Sequence, residues 1–373
     1  MNLDFSDEQK QLRDQVRRFL SEECPPEKVR AVLEGPESYD KALYQGLAEM
    51  GVLGAAIPEE YGGVGLSHLE LCVVAEELGR ALAPVPVSSS IYLAAECLVL
   101  AGSEAQKQAW LPRLASGEAV GTLALHEGQG RTSEASIAAS VKGGKLSGVK
   151  SPVADGAAAD FAIVAAKEGG KLSLWLVDLT AKGVEREVLE TIDPTREQAR
   201  LTFKDAPAEL VGGKGDGWNI LTQVLDRAAI LMAFEQLGGA DRALEMARDY
   251  ALDRMAFGRP IGSFQAVKHI LADMYVSATL ARSNCYYGAW ALVSGAAELP
   301  VAAATARVSA TTAFQHCAKN NIQVHGGMGF TWAFDCHLYY RRSNALALAL
   351  GSLSQWESAL IERMGAGNAG AAA

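Results

Sequence analysis

The spacing of apolar positions changes twice along the chain. Behind Ser6-Asp-Glu-Gln9, which has the form of a capping box, Leu12, Val16, Phe19 and Leu20 recur at helical intervals. Pro25-Pro26 ends that helix, and helical spacing returns from about Tyr39 to Met50, over Leu69–Leu82, Ser88–Leu100 and Ser103–Leu114. Gly51 to Gly65 is too dense in glycine and proline for a helix and reads as a shaped loop. Between about 118 and 210 the period shortens. Ala159–Ala166, Lys171–Leu179 and Arg200–Lys204 are brief, alternating or β-rich segments, the pattern of a small β-barrel. From Trp218 the helical period resumes in four long stretches, about 218–253, 264–296, 300–322 and 337–364, whose short connections favour an antiparallel bundle. The expected architecture is mostly α with a β-barrel insert: an α-helical domain at 1–117, the barrel at 118–215 and a four-helix bundle at 216–373. Gly365–Ala373 is expected to fray.

A chain of 373 residues with 49% apolar content can bury a large core. Its formal charge of −10, without a basic run, argues against a nucleic-acid surface. No apolar run is long enough for a membrane span, and Met1-Asn-Leu-Asp-Phe-Ser-Asp7 lacks the regions of a signal peptide. Cysteines 24, 72, 97, 285, 317 and 336 have no paired metal spacing and read as reduced core thiols, so a cytoplasmic protein is expected. Histidines 68, 126, 269, 316, 325 and 337 are scattered, and no metal is expected. Gly212 to Trp218 reads as a connector, since it fits neither the Walker pattern nor the dinucleotide fingerprint.

Two stretches stop a helix at a glycine-rich turn carrying polar groups. They are Arg254-Met-Ala-Phe-Gly-Arg-Pro-Ile-Gly-Ser-Phe-Gln265 and Gln323-Val-His-Gly-Gly-Met-Gly-Phe-Thr331. Each offers polar side chains and open backbone to an anionic or heteroaromatic ligand. The plainer reading of the first is an interhelical turn with Arg254 in a surface salt bridge. Together the two turns, in this order and spacing, resemble those of the acyl-CoA dehydrogenase family. The resemblance extends to Pro58-Glu-Glu-Tyr-Gly-Gly-Val-Gly65 and Glu76-Glu-Leu-Gly79. It implies an FAD-dependent enzyme that introduces an α,β double bond into an acyl-CoA thioester. A carboxylate removes the α-proton, and the β-hydrogen passes to the flavin. It further implies a homo- or hetero-tetramer and an electron-transfer flavoprotein or similar acceptor. By the same resemblance Arg254, Phe257, Phe264, Gln265, Gln323, Gly326 and Gly327 reach an FAD bound mainly by a neighbouring subunit.

Elsewhere the chain departs from the family pattern. Leu123-Ala-Leu-His-Glu-Gly-Gln-Gly130 stands where the family has Thr-Glu-Pro and then Gly-Ser-Asp: only Glu127 is kept, and His126 takes the threonine position. Pro152-Val-Ala154 stands where Trp-Ile-Thr or Trp-Ile-Ser contacts the flavin, so contacts from Leu125, His126 and Ala154 would rest on backbone. The two usual places for the base hold Leu350 and Ala228. Glu235, back on the face of Ala228 and roughly 10 Å along the helix, is the candidate base, because its apolar neighbours would desolvate it. The opposing reading pairs Glu235 with a basic residue of an adjoining helix or subunit. Turns that serve a neighbour are kept while the chain's own site is altered. That pattern resembles the degenerate subunits of paired acyl-CoA dehydrogenases acting on steroid side-chain or other bulky CoA esters. Three readings follow: an enzyme by itself, a partner that completes another chain's flavin site, or flavin monooxygenase chemistry on the same fold, for which no positive signal exists.

Overall fold

Helix α1 (Asp7–Glu23) begins as its capping box requires: Ser6 Oγ accepts from Gln9 N at 3.3 Å, and Gln9 Oε1 accepts from Ser6 N at 2.9 Å. The computed structural model describes residues 5–371. Pro25-Pro26 stops α1, as expected, but Pro26 also opens α2 (Pro26–Glu34), which the spacing alone missed. Proline is tolerated at the first helical position because no intrahelical N–H bond is needed there. Then follow α3 (Lys41–Glu49), capped by Asp40 on Leu43 N, α4 (His68–Ala81), a π-helical turn at Ser88–Ala95, α5 (Glu96–Ala101) and α6 (Glu104–Ala115).

Eight strands form the middle sheet: β1 (Gly121–Ala124), β2 (Ser140–Lys142), β3 (Lys145–Ala154), β4 (Phe161–Glu168), β5 (Lys171–Asp178), β6 (Val184–Leu189), β7 (Gln198–Pro207) and β8 (Glu209–Val211). Their order is β6-β7-β3-β2-β4-β5-β8, with β1 parallel to β4. β1 and β2 lie end to end along β4, since β1 pairs with Phe161–Val164 and β2 reaches Lys167. Alternation revealed three of these strands. The others escaped it because β1 is short and buried throughout, β6 is mostly exposed, and β3 contains Gly148 and Pro152.

The C-terminal helices are α7 (Gly217–Asp253), α8 (Gln265–Val293), α9 (Leu299–His325), α10 (Cys336–Leu348) and α11 (Leu353–Ala371). The stretch expected as one helix at 337–364 is therefore two. Leu350 and Gly351 take positive φ values of 63° and 102°, and Arg307 of α9 donates to the carbonyls of Leu346 and Ala349. Those carbonyls need a donor where the helix ends, and a guanidinium supplies two at once.

Close packing divides the chain into two units assembled from stretches distant in sequence. One takes residues through Val29, His68–Ala83 and everything from Ala229; the other takes Arg30–Ser67 and Pro84–Ala228. In the first unit α4 and α7 touch backbone to backbone. A Cβ on Gly79 would overlap the Glu235 carbonyl, and one on Gly238 would overlap the Glu76 carbonyl. None of the six cysteines is in a disulfide and all are buried, and burial pushes the thiols of Cys72, Cys97, Cys285, Cys317 and Cys336 upward, leaving inert core groups. Among the described residues no helix is long and apolar enough to cross a membrane.

Candidate functional site

The end of α7 is turned by a two-residue hairpin. β9 (Met255–Ala256) pairs antiparallel with β10 (Arg259–Pro260), and Phe257 and Gly258 connect them with φ of 52° and 79°. Two successive positive φ values mark a type I′ turn, in which glycine is at ease and phenylalanine is strained. The ring of Phe257 is 96% exposed. Ile261 N donates to Arg254 O at 2.8 Å and closes the turn. Arg259 lies 4.0 Å over the ring of Phe264, so Phe264 supports the turn, while Arg254 and Gln265 are exposed. Arg254 makes no ion pair among the described residues.

The second turn caps α9. Gly326 has φ 59°, and a 3-10 turn runs Gly326–Phe330. Gln323, Gly326 and Gly327 are exposed, and a Cβ on either glycine would meet nothing within 4 Å, so a ligand can approach the bare backbone. Phe330 is 83% exposed. The structure brings both turns together through residues the sequence reading had not selected. His325 stacks on Tyr250 of α7 at 4.1 Å, with the edge of Phe334 at 5.8 Å from His325. Burial pushes the His325 imidazole down, against the bond between its Nδ1 and Asn321 O, and a neutral ring suits the stack. This histidine was recognisable only as part of the Gln-Val-His-Gly-Gly string.

On the sheet, Leu125 is buried and His126 and Ala154 are half-buried. Ala154 O accepts from Thr122 Oγ1 at 2.6 Å, and Ala154 has no hydroxyl of its own. The register of β3 against β7 shifts between Lys150 and Val153, which frees Ser151: its N–H donates to His126 O, and its carbonyl accepts from Gly128 N, both at 2.8 Å. Lys150 is fully buried and donates to Leu125 O at 3.1 Å and Glu127 Oε1 at 2.7 Å. Glu127 also accepts from the N–H groups of Ala138 and Ala139, at 2.7 and 3.0 Å. Burial takes the Lys150 amine down to about 8, against the pull of Glu127. Burial alone would raise the Glu127 carboxyl, but Lys150 and the two N–H groups bring it below its usual range. Lys150 was not identified from sequence, because a lone lysine in a strand carries no pattern.

Glu235 is 1% exposed and lies 3.9 Å from the Arg342 guanidinium, itself 1% exposed and bonded to Leu82 O at 3.1 Å. Leu350 sits half-buried in the corner between α10 and α11, its carbonyl accepting from Trp356 Nε1 at 3.0 Å. Asp226, buried like Ala228, lies in the other compact unit from Glu235.

Residues 6–118 match the model of the acyl-CoA dehydrogenase N-terminal domain, and residues 215–363 match that of the acyl-CoA dehydrogenase C-terminal domain. The chain is 36% identical to acyl-CoA dehydrogenase IpdE2 of Mycobacterium tuberculosis, over 93% of this chain and 94% of that protein. It superposes on a solved steroid ACAD variant with a TM-score of 0.88 and 31% identity, covering 97% of this chain and 99% of the other. The ChsE4-ChsE5 complex from Mycobacterium tuberculosis matches with a TM-score of 0.89 and 28% identity, over 99% of both chains.

Proposed function

We propose a role for each of these elements on one premise: the chain belongs to the acyl-CoA dehydrogenase family. It is an acyl-CoA dehydrogenase-like oxidoreductase that introduces an α,β double bond into an acyl-CoA thioester. The cofactor assigned is FAD, the two-electron acceptor for the β-hydrogen. The residues present fit a flavin dinucleotide on two observations: the guanidinium of Arg254 has no carboxylate partner among the described residues, and the backbone at Gly326 and Gly327 stands open. Arg254 suits the pyrophosphate, Gln265 and Gln323 the polar edges, and Phe257 an apolar face. Leu125, His126 and Ala154 would hold the chain's own flavin, with backbone groups contributing most at Leu125 and Ala154.

The exposure of Phe257 and Phe330 carries the proposal of an assembly. Two phenyl rings left in water, one on each turn and one of them on a strained backbone, are explained by a neighbouring subunit that covers them. A homo- or hetero-tetramer in which each turn serves a neighbour's flavin satisfies this. Bulky, steroid-type CoA esters are the substrate class we assign, by analogy with the steroid ACAD neighbour, with an electron-transfer flavoprotein or similar acceptor downstream. Flavin counting tests the assignment. The chain purified alone should hold a flavin for every chain, and Arg254→Ala should weaken FAD binding about tenfold or more, since a charge-assisted contact is lost. Undiminished FAD affinity in the folded variant would remove Arg254 from the site.

Glu235 is the candidate base. The Arg342 guanidinium, 3.9 Å away, holds in place the carboxyl that would take the α-proton. Glu235→Gln should keep flavin bound yet slow anaerobic flavin bleaching by an acyl-CoA by at least about a hundredfold. Equal bleaching rates in variant and parent would exclude the role. A second reading is favoured by Leu350 at the corner and by the burial of Glu235 against Arg342. In that reading the chain completes the site of a second acyl-CoA dehydrogenase-like chain that carries the base. Recovery of the isolated chain without flavin, and of flavin only in a mixed oligomer with half as many flavins as chains, would support it.

A further inference from the structure

The strand end that carries His126 is not simply stripped of the polar groups expected beside a flavin. The chain after it folds back so that Thr132 Oγ1 lies 2.7 Å from His126 Nδ1, a hydroxyl delivered from six residues downstream. Behind the ring, β3 takes both neighbouring carbonyls, Leu125 O by Lys150 Nζ and His126 O by Ser151 N. The far end of the same loop is tied to the same ammonium through Glu127, which accepts from Ala138 and Ala139. We infer that Thr132 and Lys150 are positioning residues that present His126 Nε2 to the flavin of this chain's own site. This deepens the proposed function and rests on its reading of residues 125–126 as flavin-facing.

The chemistry follows from the ring. Burial and then the positive charge of Lys150 push the His126 imidazole down, so it is neutral at neutral pH, with one N–H and one lone pair. Lys150 and Glu127 are the charged groups next to it. With Nδ1 engaged by Thr132, Nε2 has no partner among the described residues. A neutral imidazole nitrogen suits a ligand edge that alternates carbonyl and N–H groups, as the imide edge of an isoalloxazine does. Either tautomer then finds a complement, and Thr132, able to donate or accept, partners Nδ1 in both. The threonine hydroxyl that the family pattern would place at 126 is thus replaced by a two-residue relay.

The test uses the full chain and two readouts. Side-chain NMR of the six histidines, with His126 assigned through His126→Gln, needs no flavin. The wild-type His126 should titrate below about 6.5, the ordinary value. Thr132→Val should displace its Nδ1 resonance, Thr132→Ser should restore it, and Lys150→Met should move the midpoint upward. In parallel, FAD titration should show binding about tenfold weaker in Thr132→Val and His126→Ala, as expected for one buried polar partner lost, with recovery in Thr132→Ser. An ordinary midpoint together with an Nδ1 resonance insensitive to Thr132→Val would overturn the inference. So would equal FAD affinity in wild type and both weakening variants, which would leave the flavin reading of the chain standing. Absence of FAD uptake by the wild type, alone and in mixed assembly, would overturn both.

Discussion

Gly238→Ala should lower the folding free energy by about 3 kcal/mol, with overpacking against a backbone atom placing it at the upper end of such costs. The added methyl would overlap the Glu76 carbonyl and lie 3.0 Å from Arg80 N, so nothing in its path is the movable end of a side chain. Sliding α4 away is also opposed. Glu76 accepts from Arg282 at 2.8 Å and from Arg13 at 3.4 Å, and Glu77 is gripped by both arms of Arg17 at 2.6 and 2.8 Å. These carboxylates are buried, so breaking their pairs adds a desolvation penalty to the steric one. Gly79→Ala should behave alike, because its methyl would meet the Glu235 carbonyl. Denaturant unfolding reads the effect as a lower midpoint at an unchanged slope. A midpoint within error of the parent for both variants would mean that the helices separate at little cost and that the crossing is loose.

Arg307→Met should destabilise the chain by about 3 kcal/mol, since two buried acceptors and one half-buried one lose a shared donor group. The guanidinium is 1% exposed and donates to Gln236 Oε1 at 2.5 Å, to Leu346 O, and to Ala349 O at 2.6 Å. Burial works against its charge while Glu235 favours it, so part of the loss is offset when the cation is removed. The remainder falls on the corner at 349–352, where Leu350 already occupies a left-handed backbone. Amide exchange should therefore accelerate around residues 346–353, at the corner between α10 and α11, before α9 is affected. Uniform acceleration along the chain, or none, would show that the corner does not depend on Arg307. Arg307→Lys should recover only part, since an ammonium lacks the fork that spans two carbonyls.

Much of the architecture was legible because its signals are local. The capping box at Ser6, the glycine-rich stops at Gly258 and Gly326, and the return of helical spacing at Trp218 each depend on a few neighbouring residues. Pro26 misled for the same reason: one proline both ends a helix and begins another, and only the path of the chain tells which. The break at Leu350-Gly351 was hidden because apolar spacing continues across it. What bends the chain there is a guanidinium from another helix, which no local pattern reports.

The candidate site divides along the same line. The sequence by itself determined the two polar turns at 254–265 and 323–331, the absence of a carboxylate at 228 and 350, and the isolation of Glu235 among apolar residues, since each is a matter of residue identity and spacing. Tertiary structure alone decided that His325 lies on Tyr250 and locks those turns together, that Arg342 faces Glu235, and that Thr132 and Lys150 surround His126. It also decided that α4 packs with the C-terminal helices, through Gly79 and Gly238, although residues 84–228 separate them in the chain. The physical reason is range. Helical spacing and turn chemistry act over a few residues, whereas a buried charge or a bare glycine finds its partner wherever folding brings a complementary group within hydrogen-bond or van der Waals distance.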